Sequence, residues 1–234
     1  MTLTQAALAG AFTAFILVGG AGTLFRAGLP LTWALAALAI GTVLGVLGAS
    51  FAFAGLVLAV LRGTAVPIPL VVALVFGIVS ISIPTMTLWK GRGKPLIHDV
   101  STDLTDPPMF EAVLALRANA PNPVTFDPDT AREQERAYPD IRSLTLAISP
   151  QATFAHALDI ARRSGWEIVA ADETSGRIEA TAATRWFGFK DDVVVRLTPM
   201  GVGTRVDVRS VSRVGRGDLG ANAARVREFL DSLR

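Results

Sequence analysis

Hydrophobic positions follow two patterns along the chain, and the first consists of three long apolar runs. These runs cover residues 6–24, 31–61 and 66–89. Each is long enough for a helix to cross a hydrocarbon layer of roughly 30 Å. Arg26 and Arg62 separate the runs, and Trp89 followed by basic residues closes the third, as is typical of the ends of membrane helices. The pattern predicts three transmembrane helices within residues 1–94.

The second pattern is one of short periodic segments, and it begins where the third run ends. Apolar residues alternate with polar ones in five segments, which is typical of half-buried strands, and recur every three to four positions in two others, which is typical of helices. The strands are predicted from near Ser143 and at 166–172, 177–187, 192–198 and 204–214, and the helices at 150–164 and 218–233. Residues 95–234 are therefore predicted to form a soluble α+β domain, an antiparallel sheet of order β-α-β-β-β-β-α with helices on one face.

The first part of this domain, residues 95–140, is rich in turn residues and is called the strap below. It carries nine acidic and three basic residues, whereas residues 185–234 carry ten basic and six acidic ones. One short helix is expected at Phe110–Leu116, in an otherwise irregular segment. Opposite charges attract, so the acidic strap is predicted to pack against the basic sheet.

Charge and composition narrow the classes of function. The chain has 22 basic and 20 acidic residues, and within the first 89 residues only Arg26 and Arg62 are charged. The soluble part is therefore formally neutral, and we expect no nucleic-acid partner. No cysteine is present, which excludes disulfides, thiolate metal sites and cysteine nucleophiles.

Small residues recur every four positions in the second apolar run. They are Ala37, Gly41, Gly45 and Ala49, which share one face of a helix. Missing side chains let another membrane helix approach closely, so the expected partners are the lipid bilayer and a helix bound along this stripe.

Two local patterns are compatible with a cofactor, but each has a simpler explanation. Gly215, Gly217 and Gly220 match G-x-G-x-x-G, yet no second parallel strand follows and Asp218 is placed to cap the helix instead. Donor groups suited to a metal are also present at His98, Asp99 and Asp103, and further ones at Asp191 and Asp192. Their spacing is not specific, and Asp99 and Asp103 suit local turn hydrogen bonds equally well. We expect neither a metal nor another cofactor.

Several strings of the soluble domain resemble a known family, the domain-of-unknown-function family 1499. The strings are Pro95–Asp103, Asp106–Phe110, Ala137–Ile141, Thr184–Asp192 and Arg205–Asp218 continuing to Asn222. They occur in order and span nearly the whole domain. The resemblance implies a domain without an assigned activity, in a family whose members are often lipoproteins, exported proteins or membrane-tethered envelope proteins.

Two arguments about the side of the membrane disagree. Basic residues near the helix ends are Arg62 on one side and Arg26, Lys90, Arg92 and Lys94 on the other. The positive-inside rule would place the second group, and the domain that follows it, in the cytoplasm. The family resemblance implies the periplasmic side of a bacterial inner membrane, which is the placement we predict.

The polar residues of the resembling strings are the candidate ligand-binding residues. They are Asp103, Arg185, Asp191, Arg209, Ser210, Arg213, Asp218 and Asn222. If they converge, they form either a network of ion pairs that clamps the strap to the sheet or a pocket for an anionic molecule.

The sequence favours a clamp, because every arginine has an acid available and no reactive group accompanies it. We therefore predict a membrane-anchored envelope protein with a non-enzymatic binding or scaffold domain and no catalytic residue. The alternatives are a small anionic-ligand receptor, or an enzyme that uses Asp103 or Asp191 as a base beside Arg209 and Arg213.

Overall fold

The structure, a computed structural model, describes residues 2–234 and separates them into two compact units. One unit contains the chain up to Lys90 together with the loop Arg185–Gly188. The other contains Gly91–Thr184 and Phe189–Arg234.

Three long helices build the first unit. They are α1 (Leu3–Arg26), α2 (Leu31–Leu61) and α3 (Ile68–Gly91). All three are long and apolar enough to cross a membrane, which confirms the three predicted helices. α1 begins at a capping box, in which the Thr2 hydroxyl accepts from the Gln5 amide and the Gln5 side chain accepts from the Thr2 amide.

Glycines allow these helices to pack closely within the chain. A methyl group built on Gly77 of α3 would lie 2.8 Å from the carbonyl oxygen of Gly45 in α2. A methyl group built on Gly41 would lie 2.9 Å from side-chain atoms of Leu17 and Val18 in α1. Two members of the small-residue stripe therefore contact helices of the same chain, and neither could carry a side chain without displacing a neighbour.

The loop Arg185–Gly188 belongs to the helical unit. The strand predicted to reach Phe187 ends at Ala183, because the chain leaves the sheet for this loop. The Phe187 ring is buried, 6.3 Å from that of Phe25 in α1. The indole N–H of Trp186 donates to the carbonyl of Gly19 at 3.4 Å.

A six-stranded antiparallel sheet forms the centre of the second unit. The strands are β1 (Asp99–Ser101), β2 (Leu144–Leu146), β3 (Glu167–Asp172), β4 (Arg177–Ala183), β5 (Lys190–Met200) and β6 (Gly203–Ser212). The order is β1-β6-β5-β4-β3, and β2 also pairs with β6. The structure confirms the predicted α+β class, with three apolar helices before an antiparallel sheet.

Two helices, α5 (Pro150–Arg163) and α6 (Ala221–Leu233), cover one face of the sheet, called the helix face. Side chains alternate between faces along a strand, so Val206 and Val208 reach this core while Arg205 and Arg209 point away from it. Phe229 of α6 stacks on Trp166 with ring centroids 5.2 Å apart.

The strap covers the opposite face, called the strap face. Phe110 and Val113 of the strap pack against Val194 and Val211 of the sheet in a second, smaller apolar core. The strap contains a 3₁₀ helix (Ala112–Arg117) and an α-helix, α4 (Pro128–Ala137). The sheet is therefore buried on both faces, which places polar side chains of β5 and β6 out of water.

The sequence reading missed β1 and α4. β1 has three residues, too few for a visible alternation, and α4 contains no large apolar residue, so it lacks the apolar stripe by which the other helices were predicted. They hold each other in place, because the side-chain amide of Gln134 in α4 accepts from the Ser101 amide at 2.9 Å and donates to the Ser101 carbonyl at 2.6 Å.

Candidate functional site

The candidate ligand-binding residues do not form one patch, because their side chains lie on both faces of the sheet. Asp103, Arg209 and Arg213 lie on the strap face. Another group, made of Asp191, Ser210, Asp218 and Asn222, lies on the helix face beside α6. Arg185 lies in the loop of the helical unit.

Among residues 2–234, Arg209 has the largest side chain that is fully buried, with 0% exposure. Its guanidinium group donates from Nε to Asp99 Oδ1 at 3.0 Å and from Nη2 to Asp99 Oδ2 at 2.7 Å. The remaining contacts come from the strap: the carbonyls of Pro108 and Val124 accept from it, and the rings of Phe110 and Phe126 lie 5.4 and 5.2 Å from it. The two hydrogen bonds to Asp99 and the opposite charge of its carboxylate offset the free-energy cost of removing the guanidinium group from water.

Asp192 forms the second buried cluster of the strap face. Its carboxylate, 0% exposed, accepts from Arg117 at 2.5 Å, from two nitrogens of Arg213 at 2.8 and 2.9 Å, and from the Thr181 hydroxyl at 2.7 Å. Burial would raise the pKa of Asp192, but these hydrogen bonds and the Arg213 charge bring the pKa below its usual value. The group is therefore a carboxylate at neutral pH, bound on both oxygens.

Asp103 and Asp207 share the third cluster. Arg205 donates to Asp103 at 2.5 Å and to Asp207 at 3.2 Å, and Arg196 also pairs with both acids. Burial would raise the pKa of Asp103, but the amides of Asp106 and Thr105 and the Arg205 charge lower it below the usual value.

These clusters confirm the predicted pairing of strap acids with sheet arginines. Asp99, Asp103 and Asp106 of the strap pair with Arg209, Arg205 and Arg196 of the sheet. Asp192 and Arg117 reverse the expected direction, because here the strap supplies the cation and the sheet the acid.

The helix-face group connects β5 and β6 to α6. Arg225 of α6 donates to Asp191 at 2.6 Å, to Ser210 at 2.9 Å and to Asn222 at 2.6 Å. The side-chain amide of Asn222 in turn donates to the Ser212 hydroxyl at 2.9 Å. The group ties the first turn of α6 to the end of the sheet.

Gly220 is the N-cap residue of α6, and Asp218, two residues earlier, supplies the side-chain acceptors for the first amides of the helix, as its position in the glycine-rich segment predicts. Its two oxygens accept from the amides of Gly220 at 2.8 Å and Asn222 at 2.6 Å. Burial raises the pKa of Asp218, the two amide hydrogen bonds oppose that rise, and the nearby charge of Asp191 adds to it. The amides that a bound phosphate would need are already occupied by this side chain.

The predicted candidates did not include four cations of these clusters, Arg117, Arg196, Arg205 and Arg225, nor the acids Asp99, Asp192 and Asp207. Arg117 is a basic residue in an acidic segment, which was the available signal for a partner across the sheet. Arg225 follows Asn222 by three residues, so on a helix the two side chains share a face.

A cavity of about 320 Å³ lies between residues 102–105 and residues 135–143, and its lining includes Asp103, Glu135, Tyr138 and Arg142. Asp103 is already paired there with arginines. The Tyr138 hydroxyl is buried without a hydrogen-bond partner among residues 2–234, and burial together with the charge of Asp218 raises the pKa of Tyr138. Within those residues no three histidine, aspartate or glutamate side chains are placed to hold a metal ion.

A family model described as Protein of unknown function (DUF1499) matches residues 99–233, which is more than half of the chain. The chain belongs to this family. The matched DUF1499 domain contains all three strap-face clusters and the helix-face group described above. None of the curated proteins compared with the chain matches it.

Both carboxylates predicted as possible catalytic bases of the DUF1499 domain take part in ion pairs. Asp103 pairs with Arg196 and Arg205, and Asp191 pairs with Arg225. A general base needs a free carboxylate in contact with substrate, and both of these acids are held in short ion pairs.

Proposed function

We propose that the protein is a membrane-anchored cell-envelope protein whose DUF1499 domain is a non-enzymatic binding or scaffold module. One observation carries the proposal: the buried carboxylates at Asp99, Asp191, Asp192 and Asp207 each pair with arginine. Pairing of this kind joins the strap, sheet and α6, and it leaves these acids occupied rather than reactive.

We place the membrane part in a bacterial inner membrane and the DUF1499 domain on its periplasmic side. The three long apolar helices support an integral membrane protein. The family resemblance supports the periplasmic side, whereas the count of basic residues near the helix ends argues for the cytoplasm.

Reporters fused after Arg234 test this placement. Alkaline phosphatase is active only in the periplasm and green fluorescent protein fluoresces well only in the cytoplasm, so the two fusions give opposite signals. We expect phosphatase activity and weak fluorescence. The reverse signals would place the domain in the cytoplasm and reject the periplasmic part of the proposal.

The non-enzymatic part is tested by Asp191→Asn in the full-length protein in detergent. Active-site groups are often held at a cost in stability, so removing a catalytic acid tends to stabilise a fold, whereas removing a structural ion pair destabilises it. We expect a lower thermal midpoint than wild type, with the exposed Asp159→Asn as matched control. A higher midpoint for Asp191→Asn would favour the enzyme.

A further inference from the structure

The helical unit contains cations but no acid of its own. The sequence up to Trp89 has no aspartate or glutamate, and neither does the loop Arg185–Gly188. Within residues 2–234, neither Arg26 nor Arg185 takes part in an ion pair, and both side chains are exposed. Both guanidinium groups are therefore accessible to an anion from outside the chain.

The loop is seated on the last two turns of α1. Gly22 has no side chain where the Trp186 carbonyl lies, and the Trp186 indole N–H donates to the Gly19 carbonyl at 3.4 Å. Gly188 has φ +71°, and a methyl group built there would lie 2.9 Å from Nε of Arg26. Arg26 therefore lies over the loop that carries Arg185, and both belong to the same unit.

The surface of the helical unit indicates which anion Arg26 and Arg185 would meet. Large apolar side chains on the helices are exposed, among them Ile40 at 55% and Val43 at 59%, as expected for surfaces that face lipid tails. Arg26 lies in the last turn of α1, where a membrane helix enters the headgroup layer. Phosphate is the anion of that layer, and a planar guanidinium group binds its oxygens with paired hydrogen bonds.

We infer that Arg26 and Arg185, on the loop held by Trp186, form a binding site for the phosphate headgroup of an anionic phospholipid. Basic residues at helix ends are attracted to anionic lipids, and here the loop that carries Arg185 lies against the end of α1 that carries Arg26. The inference rests on the proposed membrane placement but not on which side the DUF1499 domain faces.

Lipid retention by the full-length protein tests the site. The protein in a neutral detergent is titrated with phosphatidylglycerol or phosphatidylcholine, and bound lipid is counted by native mass spectrometry. Wild type should retain phosphatidylglycerol in preference to phosphatidylcholine. Arg26→Gln and Arg185→Gln should each weaken that retention about fivefold.

Arg62→Gln is the matched control, because Arg62 is the cation after α2 and lies at the other end of the helices. It should retain the lipid as wild type does, and Arg185→Lys, which keeps the charge, should keep most of the retention. Equal losses in Arg62→Gln would indicate diffuse attraction, and unchanged retention in both glutamine variants would show that the arginines do not bind lipid. Either result would overturn the inference.

Inorganic phosphate separates a lipid from a free anion. If millimolar phosphate displaces phosphatidylglycerol completely, the site takes phosphate rather than lipid and the inference is wrong. The titration needs no knowledge of orientation, so it fails independently of the reporter fusions.

Discussion

The two units of this chain differ in whether their arginines pair with acids of the same chain. In the DUF1499 domain, the buried Arg117 and Arg209 and the largely buried Arg213 each pair with an aspartate of the same chain. In the helical unit, Arg26 and Arg185 are exposed and face no acid among the described residues.

The difference follows from what surrounds each charge. A guanidinium group inside a folded domain has lost its water, so the chain must supply the opposite charge within hydrogen-bond distance. A guanidinium group at a membrane surface keeps water and meets anionic lipid. The buried arginines of the domain are therefore paired within the chain, whereas the helices contact one another through small residues.

The largest expected effect is at the most buried charge. Arg209→Ala removes one partner of a buried pair and leaves Asp99 without a counter-charge, so the free energy of unfolding should fall by about 3–5 kcal/mol. Urea unfolding of the full-length protein in detergent, followed by circular dichroism, measures the change.

The matched control for that prediction is Arg163→Ala, which removes an exposed arginine paired with Asp159 on α5. Its cost should stay within about 1 kcal/mol. Equal effects of the two substitutions would show that burial does not determine how much an ion pair contributes to the free energy of unfolding.

A second, somewhat smaller effect is expected at Asp192, and it should depend on pH. Asp192→Asn should cost about 3 kcal/mol at pH 7, because two arginines lose their carboxylate. The pKa of Asp192 is lowered in the fold, so the stability contributed by its charge is present above the unfolded pKa of about 3.9 and is lost as the pH falls through the folded pKa.

Wild type and Asp192→Asn should therefore differ by a constant amount between pH 7 and 5 and converge below about pH 4. Thermal midpoints measured across this range test the convergence. Asp231→Asn, at an exposed acid paired with Arg234, should follow the wild-type curve. A constant difference down to pH 2 would show that the Asp192 charge contributes nothing.

The smallest effect is expected in the helical unit, where size rather than charge should matter. Gly77→Ala places a methyl group 2.8 Å from the Gly45 carbonyl and from the Ala49 side chain, so α2 and α3 must move apart at a cost of about 1–3 kcal/mol. Gly10→Ala in α1 is the control, because no atom lies within 4 Å of the added methyl group. A thermal midpoint in detergent that is equal or higher for Gly77→Ala would contradict close packing at this contact.

Much of the fold could be predicted because its signals are local. The three apolar runs give the helices to within a few residues, and the alternation along β5 and β6 correctly assigns Val193 and Val208 to the helix face. The stripe of α6, including Val226 and Phe229, is buried as its periodicity indicates.

The parts that were missed depend on contacts between distant residues. β1 forms because β6 pairs with Asp99–Ser101, more than 100 positions away in sequence, and no pattern within three residues can signal that. The sequence leaves open whether the candidate polar residues converge on one patch, and strand alternation places Arg209 and Ser210, adjacent in sequence, on opposite faces. Their division into separate clusters required the pairing partners, which only the folded chain supplies.

The side-chain amide of Gln134 limits strand pairing between this domain and other proteins. Because this side chain occupies the outward N–H and C=O of Ser101, a foreign strand cannot extend the sheet at that residue. The opposite margin is β3, where a bulge between Ile168 and Ala170 disturbs the regular spacing that an incoming strand would need. Ser101 and the β3 bulge therefore each interrupt a strand edge that an incoming strand would need to pair with.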